Sequence, residues 1–434
     1  TTFRAWSMTG TAEPSVYTYY DEYTGNAFFQ DQAFQFTAKT FQSTGGEPFV
    51  KFDRVEGQVT GTSAKILGTE QWLNKVMYYD QYQAPIQVIS SVHTGGVNVT
   101  STLHDFAGKA LETKSEQSGQ TITRRFEYDH TGRMLKIYHR MNTQPEVVLA
   151  SHVYDELSRV IDKKLYSSDG GSTYLQSLDY KYDIHGWLTG INTIASTDPG
   201  DPEDLFAMEL AYDNNTFSSS NTLRKDGLIT AARWRQDLKA NNQKLYNYEY
   251  DNLNRLKDAN YKGWSGSSWS SQIDFYTEKG MTYDDNGNIK LLKRYNKELT
   301  SAGLIDDLSY NYGSGGNQLM YVTDNGTASI KEKGFKDGNT SGNDYVYDVN
   351  GNLTLDKNKN LTITYNHLNL PDRITFGVDN TYIEYTYDAG GSRLTQTYFE
   401  AQGNPVLKTD YAGEFVYVDD IPALIHHEEG RLVR

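Results

Sequence analysis

Short runs of alternating apolar and polar residues recur along the chain, and each passes into the next through a brief polar break. Phe126 and Tyr128 close one run, and Met134, Leu135 and Ile137 open the following one. Ile289 and Leu291 follow Tyr283 in the same way. Period-two alternation rich in Tyr, Thr, Ile and Val is a strand signal. No sustained helical periodicity competes with it, and the best helical candidate is the short stretch Ser301–Leu308.

The breaks resemble one another. They read Tyr128-Asp129-His130-Thr131-Gly132-Arg133, Tyr182-Asp183-Ile184-His185-Gly186-Trp187, Tyr283-Asp284-Asp285-Asn286-Gly287-Asn288 and Tyr347-Asp348-Val349-Asn350-Gly351-Asn352. Tyr154-Asp155-Glu156-Leu157-Ser158-Arg159 and Tyr250-Asp251-Asn252-Leu253-Asn254-Arg255 keep the frame without the glycine. His104-Asp105-Phe106-Ala107-Gly108-Lys109 replaces the tyrosine, and Tyr387-Asp388-Ala389-Gly390-Gly391-Ser392-Arg393 reads as a copy with one extra residue. Asp at the first position and Gly at the fourth suit a type I turn. The Asp side chain accepts backbone N–H bonds inside the turn, and Gly takes positive φ at little steric cost. A type I turn followed by a left-handed residue joins two strands through a G1 bulge. Each unit is therefore expected to be a β-hairpin.

Such self-similarity defines a repeat architecture. The spacing is uneven, from 18 residues (Tyr347 to Tyr365) to 38 (Tyr212 to Tyr250) where adjacent copies are clear. Uneven hairpins suit a long sheet whose turn edge stays regular while its other loops vary. A β-propeller, whose blades keep stricter time, is the alternative architecture.

Composition narrows this picture. Only 37% of the 434 residues are hydrophobic, yet 34 are Tyr, with 37 Gly and 9 Pro. Strands of this kind have two partly wet faces, and Tyr buries a large ring while its hydroxyl keeps a polar partner. The net charge of −15 argues against a general nucleic-acid binder. With no Cys, disulfides, thiolate metal sites and a Cys nucleophile are excluded. No apolar run approaches the roughly 20 residues of a membrane-spanning helix, and no signal peptide opens the chain. A start at Thr1 without Met leads to the expectation of a fragment or processed piece.

Residues 1–100 are expected to form a degenerate, strand-rich segment in which the repeat is faint. Tyr19-Tyr20-Asp21 and Tyr78-Tyr79-Asp80 look like strand ends followed by unrecognisable turns. Clear repeats occupy 101–395, and 396–434 holds a last hairpin around Tyr411-Ala412-Gly413-Glu414-Phe415. Residues 195–204, 214–222 and 263–268 read as polar surface loops.

The Tyr-Asp-x-x-Gly-Arg units resemble the YD repeats of Rhs proteins, toxin-complex shell subunits and animal teneurins. Phrases such as Ile184-His185-Gly186-Trp187-Leu188-Thr189, Ile363-Thr364-Tyr365-Asn366-His367-Leu368 and Tyr411-Ala412-Gly413-Glu414-Phe415-Val416-Tyr417 are most similar to Rhs-repeat proteins of Bacteroidetes-type bacteria. The resemblance implies an all-β fold in which hairpins make a spiralling sheet, forming a hollow shell (cocoon) or part of one. In toxin members that shell encloses a C-terminal effector, released by an aspartyl autoprotease with an Asp-Pro-x-Gly type motif. Asp198-Pro199 and Asp201-Pro202 lack that motif's flanking pattern, so neither protease nor toxin is expected within these residues. The implied role is a non-enzymatic shell segment of a secreted or cell-surface bacterial protein. Its partners are the rest of its own polypeptide and possible secretion or surface proteins. A surface adhesin presenting outer loops to glycan or protein is the alternative, and a polysaccharide hydrolase a more distant one.

Candidate chemistry elsewhere is weak. Asp284-Asp285-Asn286-Gly287-Asn288 lacks the Gly at position 6 and the Glu at 12 of an EF-hand loop, so an Asp-initiated turn is the favoured reading. His426-His427-Glu428-Glu429 offers metal ligands, but adjacent strand residues face opposite ways. Gly313-Ser314-Gly315-Gly316 lacks the Lys-Ser/Thr of a phosphate loop. Trp264 and Trp269 invite sugar stacking, although such residues more often pack back onto the sheet. No catalytic, cofactor or metal residues are assigned. The residues singled out are those of the repeat: Tyr128, Asp129, Gly132, Arg133, Tyr154, Asp155, Tyr182, Asp183, Gly186, Tyr250, Asp251, Tyr283, Asp284, Gly287, Tyr347, Asp348, Gly351, Tyr387 and Asp388.

Overall fold

The alternating runs form strands, and each strand pairs antiparallel with its neighbour in sequence. The computed structural model describes residues 14–194, 204–214, 217, 222–236, 242–271, 275–298, 301–314, 316–327 and 329–433. Residues 195–203 and most of 214–222, expected as loops, lie outside these. One meander runs from Val16–Asp21 to Leu319–Asp324, strand pairing with strand throughout. A second starts at Tyr345–Tyr347 and ends at Gly430–Val433. Among the described residues there is no α-helix, only three short 3-10 turns. None of these is long and apolar enough to cross a membrane.

The fold is thus all-β, built from long antiparallel sheets that do not close into a barrel. No four-stranded blades break the meander, so the propeller alternative fails. Ser301–Leu308 is not helical but part of the strand Ser301–Tyr312. The register shifts there, with Arg294 opposite Asp306 and Tyr295 opposite Leu304. The resulting bulge at Ile305 breaks the alternation and leaves a spacing that imitates a helix.

The second sheet returns to the first. Ile66 bridges Asp388, and the Ala389 N–H donates to the Lys65 carbonyl at 2.8 Å. Further on, Phe415 and Ile425 pack on Ile122 in a small core joined by Met141, Tyr417 and Leu432. The strip therefore coils until its last hairpins lie on strands laid down some 300 residues earlier. Its cores are small and separate. The chain exposes 24559 Å², whereas a compact monomer of 49.2 kDa should expose about 17,000 Å². Strands with two partly wet faces contribute to that difference.

The N-terminal part packs on the first sheet. Phe28, Phe29 and Phe34, on the turns Ala27–Gln30 and Gln32–Phe34, bury against Val76, Tyr78 and Ile89. The segment that follows has no strand of its own and is held by buried side chains. Gln87 accepts the Thr37 N–H and donates to the Thr37 carbonyl, both at 2.9 Å. Glu112, fully buried, accepts the consecutive N–H groups of Gln42 and Ser43 at 2.7 and 2.8 Å. Each gives a partner to backbone that no strand pairing serves.

Candidate functional site

Two features stand out, a ladder along the turn edge and a seam where the sheets meet. In the ladder, the Asp-initiated turns share one construction. The Asp129 N–H donates to the Arg133 carbonyl, and the Gly132 N–H to the Asp129 carbonyl, both at 2.9 Å. Asp129 Oδ1 accepts the N–H groups of Thr131 and Arg133 at 2.9 and 3.0 Å. Asp155, Asp183, Asp251, Asp284, Asp348 and Asp388 repeat the pattern. Gly132, Gly186, Gly287 and Gly351 take φ between 84° and 87°. Ser158 and Asn254 take the same left-handed conformation at 64° and 63°, so the frame outlives its glycine.

These bonds favour the ionised carboxylate at Asp129, Asp155, Asp183, Asp251, Asp284 and Asp348. Asp155 and Asp251 lie below the usual carboxylate range because of N–H donation from Arg159 and Arg255, reinforced by the guanidinium. For Asp284 and Asp348 the amide side chains of Asn288 and Asn352 are the leading cause. Partial burial works against Asp129 and Asp183, but their donors outweigh it.

The tyrosines join one hairpin to the last. The Tyr128 hydroxyl donates to the Ala110 carbonyl at 2.9 Å, Tyr154 to Met134 at 2.8 Å and Tyr182 to Val160 at 3.0 Å. Tyr250 reaches Ile229, Tyr283 reaches Leu256, Tyr347 reaches Leu319 and Tyr387 reaches Pro371, at 2.5–2.8 Å. The acceptor is regularly at or near the first residue of the preceding return strand. The basic residue links forward instead. Arg133 bonds its own Asp129 at 2.7 Å and stands over the Tyr154 ring, and Arg159 and Arg255 treat Tyr182 and Tyr283 alike. The motif therefore encodes contacts between repeats as much as a turn within one.

Sequence reading missed some rungs. Tyr79 donates to the Val59 carbonyl at 2.7 Å, and Asp80 caps a regular turn with Gln83 at φ 64°. Tyr312 donates to Ile289 at 3.0 Å over a turn that starts at Gly313 in place of Asp. Conversely, the Tyr387 copy carries no extra residue. The Asp388 N–H bonds the Ser392 carbonyl and Gly391 occupies the left-handed place, so Ser392 stands where Arg would and Arg393 is displaced by one.

The seam is polar around its small core. Arg124, nearly buried, grips Glu414 with two nitrogens at 2.7 and 2.8 Å and donates to the His426 carbonyl at 3.1 Å. Glu428 approaches it at 3.5 Å. Glu429 faces His152 at 3.7 Å and pairs with Lys163. His93 meets the buried Asp410 at 2.9 Å. His139 lies beneath His427 with ring centres 6.5 Å apart. The tetrad His426-His427-Glu428-Glu429 is thus spent on closing the strip. Among the described residues no group of three or more His, Asp or Glu side chains is arranged to hold a metal ion. Trp264 and Trp269 pack edge-to-face, 5.3 Å apart. Nothing local in the sequence announces Arg124 and Glu414 as partners, since they lie 290 residues apart.

The fold and ladder define an all-β hairpin-repeat protein. No family model matches the chain, and no curated protein matches it either. Among solved structures, a chain of the TcdB2-TccC3-Cdc42 crystal structure is similar over 85% of this chain at 15% identity, with a TM-score of 0.45. The Photorhabdus luminescens Tc holotoxin pore gives 14% identity over 86% of this chain and a TM-score of 0.32. This chain spans 17% and 19% of the length of those two chains.

Proposed function

We propose that this chain is a wall segment of an Rhs-type shell, a structural and non-enzymatic part of a secreted or cell-surface bacterial protein that encloses effector polypeptide. The observation that carries this reading is the coiled strip itself, one hairpin thick, locked rung to rung by tyrosines and returning to seal against its own early strands. The surplus of exposed surface supports it, as does the sequence resemblance to YD-repeat proteins. The partners are further regions of the same polypeptide. Limited proteolysis of the product of the complete reading frame tests it. Polypeptide beyond the repeats should survive while the wall is closed and be cut once the wall is denatured; equal cleavage in both states rejects encapsulation. Assays on polysaccharide and peptide panels should show no turnover, and turnover abolished by changing one carboxylate would overturn the non-enzymatic reading.

A surface interaction module is the second reading, favoured by one observation. Several turn tips carry bare apolar side chains: Phe106, Ile184 and Val349 are 81%, 97% and 102% exposed. Saturable binding to glycan or protein arrays, lost on changing these tips to Ser, would favour it.

A further inference from the structure

His139 lies on the strand Met134–Met141, directly opposite Arg124 of the adjacent strand. It is 4% exposed, and neither ring nitrogen has a hydrogen-bond partner. The C-terminal hairpins form the lid over it, bringing His427 to its ring. Its surroundings are therefore a permanent guanidinium and a second imidazole. Of the nearby carboxylates, Glu414 is held by both terminal nitrogens of Arg124, and Glu428 lies 3.5 Å from its Nε. On the far side, His152 and Lys163 share Glu429.

We propose that the seam is an acid-opened closure, in which protonation of His139 drives the hairpins from Pro405 to Val433 off the strands they cover. A proton on His139 adds a second positive charge at a buried place opposite Arg124, and a buried charge is costly unless paired. Lifting the lid gives both His139 and His427 to water. Burial, then Arg124 and His427, push His139 down to about 4, while burial also lowers His427 and His152. Each imidazole binds its proton less readily when the seam is closed than at its ordinary value near 6.5. Closure is thus fully favoured above about pH 6.5 and weakens as pH falls toward about 4. His93 meets Asp410, which lies on these same hairpins, at 2.9 Å. The tyrosine ladder joins neighbouring hairpins only, so the rest of the strip has no reason to follow. The inference stands whether or not the wall encloses anything.

Hydrogen exchange of the full chain at several pH values, corrected for intrinsic rates, tests this. Peptides from 405–433 and 120–141 should lose protection together, by about thirtyfold at about pH 5 from His139 alone. Peptides from 244–298 should not change. His139→Leu should keep the seam protected at that pH. Unchanged wild-type protection would overturn the proposal, and so would an H139L seam that opens like wild type, which would place the trigger on the carboxylates. Carbon-13 histidine spectra of the wild-type chain probe the same step without a variant. His139 should stay neutral while the seam is protected, and a His139 that titrates in the closed state overturns the idea.

Discussion

The Arg133 guanidinium lies 4.9 Å from the centre of the Tyr154 ring, although the two residues belong to successive hairpins. Asp129 fixes that guanidinium through its Nε at 2.7 Å, and a terminal nitrogen reaches the Asp155 carbonyl at 3.3 Å. Tyr154 in turn reaches back to Met134. Each hairpin is thus tied to the next twice, through opposite members of one motif.

Tyr154→Phe should therefore cost about 1 kcal/mol, the net worth of one hydrogen bond. Arg133→Ala should cost about 1–2 kcal/mol, combining a partly buried ion pair with a cation–π contact. Because Arg133 and Tyr154 touch, their losses should not add. Urea titrations of the two single variants and the double variant check this, and strict additivity would deny the coupling.

The turn glycine is a matter of backbone. Gly287 sits at φ 86° with open space around the missing Cβ, so only conformational strain opposes a side chain there. Gly287→Val should destabilise by more than about 1 kcal/mol. Gly287→Asn should cost less, since Asn254 and Asn369 already occupy this conformation at other rungs. Thermal melts of the two variants should rank Asn above Val; the reverse order would refute the strain argument.

How far the sequence reveals this molecule follows from where its determinants lie. Hairpins and turns are legible because Asp129, Gly132 and Arg133 act within five residues. The Tyr79 and Tyr312 rungs are hidden because Gln83 and Gly313 fill places that the pattern reserves for Gly and Asp. The strand at Ser301 is disguised by a bulge that only its partner strand explains. Arg124–Glu414 and the Glu112 bonds to Gln42 and Ser43 depend on how the strip coils, and no local pattern carries that. A buried Glu112 amid an alternating strand is the one visible hint, a charge at an inward-facing place.

That charge supports a third prediction. Glu112→Ala removes two charge-assisted bonds and leaves the Gln42 and Ser43 N–H groups without their protein partner, costing about 2 kcal/mol. The loss should be local, so proteolysis should cut first within residues 35–54 while the ladder stays intact. Cleavage that begins in the repeat turns instead would mean that the strap is not held by Glu112.

Alkali should dissolve the ladder. Burial raises Tyr79, Tyr128, Tyr154, Tyr182, Tyr212, Tyr250, Tyr283, Tyr312, Tyr347, Tyr365 and Tyr387 above the ordinary phenol value. A raised folded value means stability that is complete below about pH 10 and is lost as pH climbs through the higher folded values. Tyrosinate absorbance and circular dichroism should therefore change together above about pH 10. Ionisation near pH 10 of the whole tyrosine set, with the sheets intact, would contradict the buried ladder.

Solution scattering addresses the wall directly. A compact chain of 434 residues should have a radius of gyration of roughly 22 Å. A coiled strip one sheet thick, as proposed, would carry its mass at the periphery. The monodisperse chain should therefore exceed that value at neutral pH. If the seam opens as proposed, the radius should grow further near pH 5 in wild type and stay fixed in His139→Leu. A radius at the compact value would mean that the strands fold into a filled domain, and that the exposed area does not come from a wall.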